Sequence, residues 1–150
     1  MATRSRIGLM LEDGTIKHSY IHFDGYPTGV GTNLVLFYNT EDKVKELLSF
    51  GDMSYLAPKV NPEGEHSFNN PEDGVTVFYG RDRGESNVDS VTTSMDEYLS
   101  VKYSSCIDFQ YVFSGGHWWV YDNNDKTRWE LVKRYLSEYV LTEEELASTL

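Results

Sequence analysis

Asp13-Gly14 stands between two runs, residues 4–11 and 15–23, in which apolar and polar residues alternate. No other short signal constrains the fold as much, because an Asp-Gly turn between alternating runs joins antiparallel strands. The spacing predicts a hairpin with Glu12 facing Thr15, so that paired positions sum to 27. Side chains alternate across a strand, so this register places Ile7, Leu9, Leu11, Ile16, Tyr20 and His22 on one face. Arg4 and Arg6 then share the opposite face with Ile21 and Phe23.

The stretch Asp24-Gly25-Tyr26-Pro27-Thr28-Gly29-Val30-Gly31 follows, and its glycines and proline mark a shaped loop. Leu34, Phe37 and Tyr38 predict a short helix after it. Asn39 or Thr40 then serves as the N-cap of a second helix carrying Val44, Leu47 and Leu48, with Gly51 at its end. Residues 52–74 hold Pro58, Pro62, Gly64, Pro71 and Gly74. They read as an irregular, mobile excursion with one short element near Met53 to Leu56. Val75 to Tyr79 is β-branched and aromatic and reads as a strand leading into Gly80-Arg81-Asp82-Arg83-Gly84-Glu85. Thr93 or Ser94 caps a short helix through Tyr98 and Leu99.

Ile107, Phe109, Tyr111 and Phe113 alternate with polar or smaller residues, and Ser114-Gly115-Gly116 turns the chain into the run His117 to Tyr121, a second hairpin. Trp118 and Trp119, adjacent on that strand, must face opposite ways. Leu131, Val132, Tyr135, Leu136 and Tyr139 predict an amphipathic helix over 127–140, and Thr142 with Glu145 forms a capping box for a terminal helix. The expected fold is a single α+β domain spanning residues 1–150. Its antiparallel sheet has about five strands, two hairpins plus one strand, with helices packed on one face.

A net charge of −11, from 24 acidic and 13 basic residues, disfavours direct nucleic-acid binding and association with anionic membranes. One cysteine, Cys106, rules out an internal disulfide, and no apolar run approaches the length of a membrane span. The cytoplasm is the expected compartment, and the 11 tyrosines leave self-association open.

Against this acidic background two Arg-x-Arg pairs hold four of the six arginines, Arg4 with Arg6 and Arg81 with Arg83. Guanidinium groups grip phosphate or carboxylate with paired hydrogen bonds, so two such pairs suggest an anion clamp. If the strand before it persists, Arg81 and Arg83 point the same way and Asp82 the other. Ion pairing with the many acids accounts for the second pair equally well, and an edge strand protected by cations accounts for the first. Tyr26, Gly29 and Gly31 could add backbone donors to the clamp, although the loop lacks the lysine and spacing of a P-loop. His22 and Asp24 have the spacing of an acid/base pair or two metal ligands, with His18 as a neighbour, but the chain shows no further ligand set, cofactor motif or nucleophile motif.

The blocks SRIGLMLEDGTIKHSYIHFDGYPTGVG, GVTVFYGRDRGE and YVFSGGHWWVYD resemble, in the same order, a group of small bacteriophage-encoded accessory proteins of uncharacterised function. The resemblance implies expression in the host bacterial cytoplasm and a role by binding, such as host-defence evasion. It carries no catalytic motif. Three readings follow: a non-enzymatic protein binding a small anionic, nucleotide-like ligand through Arg4, Arg6, Arg81 and Arg83; an acidic inhibitor of a host nucleic-acid-handling or defence protein; and a small hydrolase using His22 and Asp24.

Overall fold

The computed structural model of the chain describes residues 2–131. It contains β1 (Ser5–Met10), β2 (Ile16–Ile21), a π-helical turn (Pro27–Gly31), α1 (Thr32–Phe37), α2 (Glu41–Leu48) and β3 (Met53–Tyr55). Then come β4 (Val77–Phe78), α3 (Tyr79–Arg83), β5 (Val91–Thr93), α4 (Met95–Tyr98), α5 (Val101–Ser104), β6 (Phe109–Ser114), β7 (His117–Asp122) and β8 (Thr127–Glu130). The predicted amphipathic helix fails at its start, where Thr127–Glu130 pairs with β7 as a strand, and the rest of it, with the capping-box helix, lies outside the described residues.

All eight strands join one sheet in the order β4-β3-β2-β1-β6-β7-β8, with β5 added to β2. The sheet is mixed, not antiparallel throughout: β1 runs parallel to β6, and β2 parallel to β3. It also exceeds the expected five strands: β4 is the strand expected at Val75 to Tyr79, shortened to two residues, while β3 and β5 are too short to show alternation and β8 stands where the helix is expected to begin. β1 lies inside the sheet between β2 and β6.

The first hairpin forms, with a register one residue from the expected one: Arg6 faces Tyr20, Ile7 faces Ser19 and Gly8 faces His18. Its loop has three residues, closed by Leu11 N–H donating to the Thr15 carbonyl, with Gly14 at φ 85°. Asp13 Oδ1 accepts from the Thr15 amide at 3.0 Å and its hydroxyl at 2.6 Å, which holds this wider turn. One step of register moves every β2 side chain to the other face. Arg4 and Arg6 therefore share a face with His18, Tyr20 and His22, and Ile21 lies on the opposite one.

That opposite face carries the main core. Ile7, Leu9, Ile21, Tyr111, Phe113, Trp118 and Val120 from the sheet are buried against Val30, Leu34, Val44, Leu47 and Leu48. Thr40 caps α2 by accepting from the Lys43 amide at 3.3 Å. A smaller cluster occupies the other face, where Tyr98 of α4 packs on Ile16 and Val112. Helices thus cover both faces, not one as expected, and the α4–α5 segment lies on the side of the arginines.

Candidate functional site

A cation on an inner strand cannot be explained as protection of a sheet edge. Arg6 is half-buried on β1, and its Nε donates to His18 Nδ1 at 3.0 Å. A guanidinium can only donate, so Nδ1 carries no proton and the other ring nitrogen, Nε2, must. Nε2 lies 3.0 Å from Thr93 Oγ1, whose hydroxyl donates onward to the Ser94 carbonyl at 3.1 Å. The donors therefore run one way, from Arg6 through His18 and Thr93 to Ser94. His18 is completely buried between Tyr98 and Tyr103. Burial, reinforced by the Arg6 charge, lowers its pKa to about 3. Arg6 is thus held by a neutral partner.

Its guanidinium lies over the Tyr103 ring at 5.0 Å from the centroid. Among the described residues nothing accepts from its two terminal nitrogens, which remain open to solvent, and no carboxylate reaches ion-pair distance. Burial pulls Arg6 below its ordinary range, against the opposing pull of Tyr98 and Asp52. Such a cation is incompletely compensated by its own chain.

Three neighbours complete the site. Tyr20, opposite Arg6 on β2, has its hydroxyl 2.7 Å from His22 Nδ1; burial raises its pKa, and adjacent Arg4 opposes the rise. Arg4 is exposed and, among the described residues, forms no ion pair. Asp52, just before β3, accepts from the Tyr20 amide through Oδ1 at 2.9 Å, while Oδ2 has no partner among the described residues. Burial raises the Asp52 carboxyl, with the Tyr20 hydrogen bond and Arg6 pulling the other way. Arg6, His18, Tyr20 and Asp52 are all shifted within one patch, a pattern concentrated at functional sites. Beside Arg4 a groove of about 520 Å³ opens between the end of α5, the loop leading into β6 and the turn after β7. Asp108 lines it, accepting from the Arg4 amide and from Asn124 Nδ2.

The second arginine pair is used differently. Residues 79–83 form α3, not an extension of the strand, so Arg81 and Arg83 do not project side by side. Asp82 accepts from the Phe78 amide at 2.8 Å, from Arg81 Nε at 2.9 Å and from His66 Nε2 at 3.2 Å. Arg81 also donates to the carbonyls of Val60 and Thr76 and lies against the rings of Phe50 and Phe78. Arg83 covers Phe68 and stands 3.8 Å from Glu85. These contacts tie down residues 60–68 of the 52–74 excursion that the sequence marks as mobile.

The loop glycines are likewise committed to packing. The Gly29 amide donates to the Tyr26 carbonyl and the Val30 amide to Asp24, while Gly31 lies against Leu131. Tyr26 is exposed and its hydroxyl donates to Asp24 Oδ1. Asp24 thus bonds to Tyr26 and His22 to Tyr20, so the two are not hydrogen-bonded to each other as the acid/base alternative requires. Among the described residues no cluster has the composition of a metal site. No helix among them is long and apolar enough to cross a membrane.

Of the seven residues nominated from the sequence, Arg4 and Arg6 meet on one face, whereas Arg81, Arg83, Gly29 and Gly31 are drawn into internal contacts. Tyr20, Asp52, Thr93 and Tyr103 escape a reading by sequence because they come from four separate segments, three at the sheet and one on α5, that only the fold brings together. Compared with protein-family models, curated proteins and solved structures, the chain matches none.

Proposed function

We propose that this protein binds a small anionic, nucleotide-like ligand through Arg4 and Arg6, without chemistry of its own. One observation carries the reading: the half-buried Arg6 guanidinium has a neutral histidine as its hydrogen-bonded partner, and its terminal nitrogens face solvent. An anion there would receive the paired donors that the fold leaves unused, beside the exposed charge of Arg4. The resemblance to phage accessory proteins supports a role in which the ligand is sequestered inside the host, as in host-defence evasion.

Isothermal titration with inorganic phosphate, AMP and ADP tests the reading. Arg6→Met should weaken binding by about tenfold or more, the loss of a charge-assisted pair of hydrogen bonds. Arg83→Met should leave affinity unchanged. Wild-type affinity in Arg6→Met would remove the site.

A further inference from the structure

Arg6 and Asp52 present an unusual juxtaposition. Both are attached to Tyr20, Arg6 as its cross-strand partner and Asp52 through the Tyr20 amide, and they feel each other's charge. Yet they do not close to ion-pair distance, and each keeps a polar end without a partner among the described residues. Nearby opposite charges ordinarily collapse together, since a half-buried carboxylate gains from any nearby guanidinium. Here backbone anchoring prevents it: Asp52 is fixed by its Oδ1 bond and by the bonds of its own amide to Val88 and its carbonyl to Tyr79, while Arg6 is fixed through Nε to His18. The result is a guanidinium and a carboxylate beside the same tyrosine that keep donors on one side and an acceptor on the other unpaired with each other.

Resting on the anion-binding reading above, we propose that the ligand is a phosphate monoester carrying a hydroxyl group, with the phosphate on Arg4 and Arg6 and the hydroxyl donating to Asp52 Oδ2. The chemistry of each wall selects this class. A bare inorganic anion would satisfy the arginines and bring no separate hydroxyl to donate to Asp52 Oδ2. An ammonium group could donate to Asp52, but two guanidiniums within the same patch repel it. A hydroxyl supplies the donor without charge. Asp52 then acts as a specificity residue, favouring sugar- or glycerol-type phosphates over plain alkyl phosphates.

The test compares matched probes: glycerol 3-phosphate, propyl phosphate and phosphoethanolamine, titrated into the wild-type protein, Asp52→Asn, Asp52→Ala and Arg6→Met. Wild type should prefer glycerol 3-phosphate to propyl phosphate by about tenfold, the value of a hydrogen bond to a charged acceptor. Phosphoethanolamine should bind no better than propyl phosphate. In Asp52→Ala the preference should fall to about unity with propyl phosphate binding retained. Asp52→Asn, which keeps an acceptor for the Tyr20 amide and so guards against loss of fold, should fall between. Equal wild-type affinity for the two esters, with both lost in Arg6→Met, would overturn the role of Asp52 and leave the anion site standing. Stronger binding of phosphoethanolamine would overturn the choice of hydroxyl. Failure of every phosphate probe to bind wild type would overturn both readings together.

Discussion

His18 shows how much a single side chain can cost and what it secures. The ring stays neutral because protonating Nδ1 would set it against the Arg6 N–H, inside a pocket closed by two tyrosines. Its folded pKa of about 3 lies below the ordinary value of 6.5. Between those two values the unfolded chain binds more protons than the folded one, so stability is complete above pH 6.5 and declines as pH falls. The expected loss between pH 6.5 and pH 4 is roughly 3 kcal/mol from this residue. Urea unfolding across that range should show the decline, and His18→Asn, which keeps an acceptor for Arg6 without the titration, should flatten it. The importance of Arg6 is visible in the sequence as charge against pattern, but its surroundings are not. Reading Asp13-Gly14 as a two-residue turn puts His18 and Arg6 on opposite faces, and only the bonds from Thr15 to Asp13 reveal the three-residue loop that brings them together.

Among the elements, α3 is only five residues long yet heavily used. Asp82 reaches back one turn to the Phe78 amide, which stops β4 after two residues and turns the chain into the helix. The same carboxylate holds His66, whose Nδ1 in turn accepts from the Glu72 amide at 3.0 Å. The side chains of His66 and Asp82 are 2% and 5% exposed, so the link is a buried one. Removing it leaves Arg81 Nε and His66 Nε2 without their acceptor, and Asp82→Ala should cost about 3–5 kcal/mol. Hydrogen exchange would then show residues 61–73 losing protection ahead of the main sheet. None of this is legible in Val75 to Tyr79, whose β-branched and aromatic composition argues for a longer strand; the acid that ends it acts through a backbone amide, which has no sequence signature. Gly25 makes a related point. A Cβ there would stand 2.7 Å from the Thr3 carbonyl oxygen and from Ser5, so Gly25→Ala should lower stability by about 1–3 kcal/mol in a denaturant titration.

For the molecule as a whole, the decisive pairing is β1 with β6, which joins Ser5 to Phe109. Each hairpin closes locally, and both are readable from alternation and turn residues. Their docking is not, because parallel strands carry no turn between them and the pairing is chosen by burial of Ile7, Leu9, Tyr111 and Phe113 in one core. β3 and β5, three residues each, are equally silent as strands, and with β8, whose residues read as the start of a helix, they widen the sheet from five strands to eight. A contact spanning most of the chain must form before the core closes, so stopped-flow refolding should be slow, in the millisecond-to-second range of non-local β topologies. Deleting residues 2–10 should abolish cooperative unfolding altogether, since it removes the partner of both hairpin halves.

The inner position of β1 also has a mechanical consequence. A pull applied ahead of Ser5 loads the hydrogen bonds to β2 and β6 together, in shear, whereas β8 is bonded to β7 along one edge among the described residues and can peel pair by pair. Traction ahead of Ser5 meets a strand held on both flanks at once; traction on β8 meets one held, among the described residues, on a single flank.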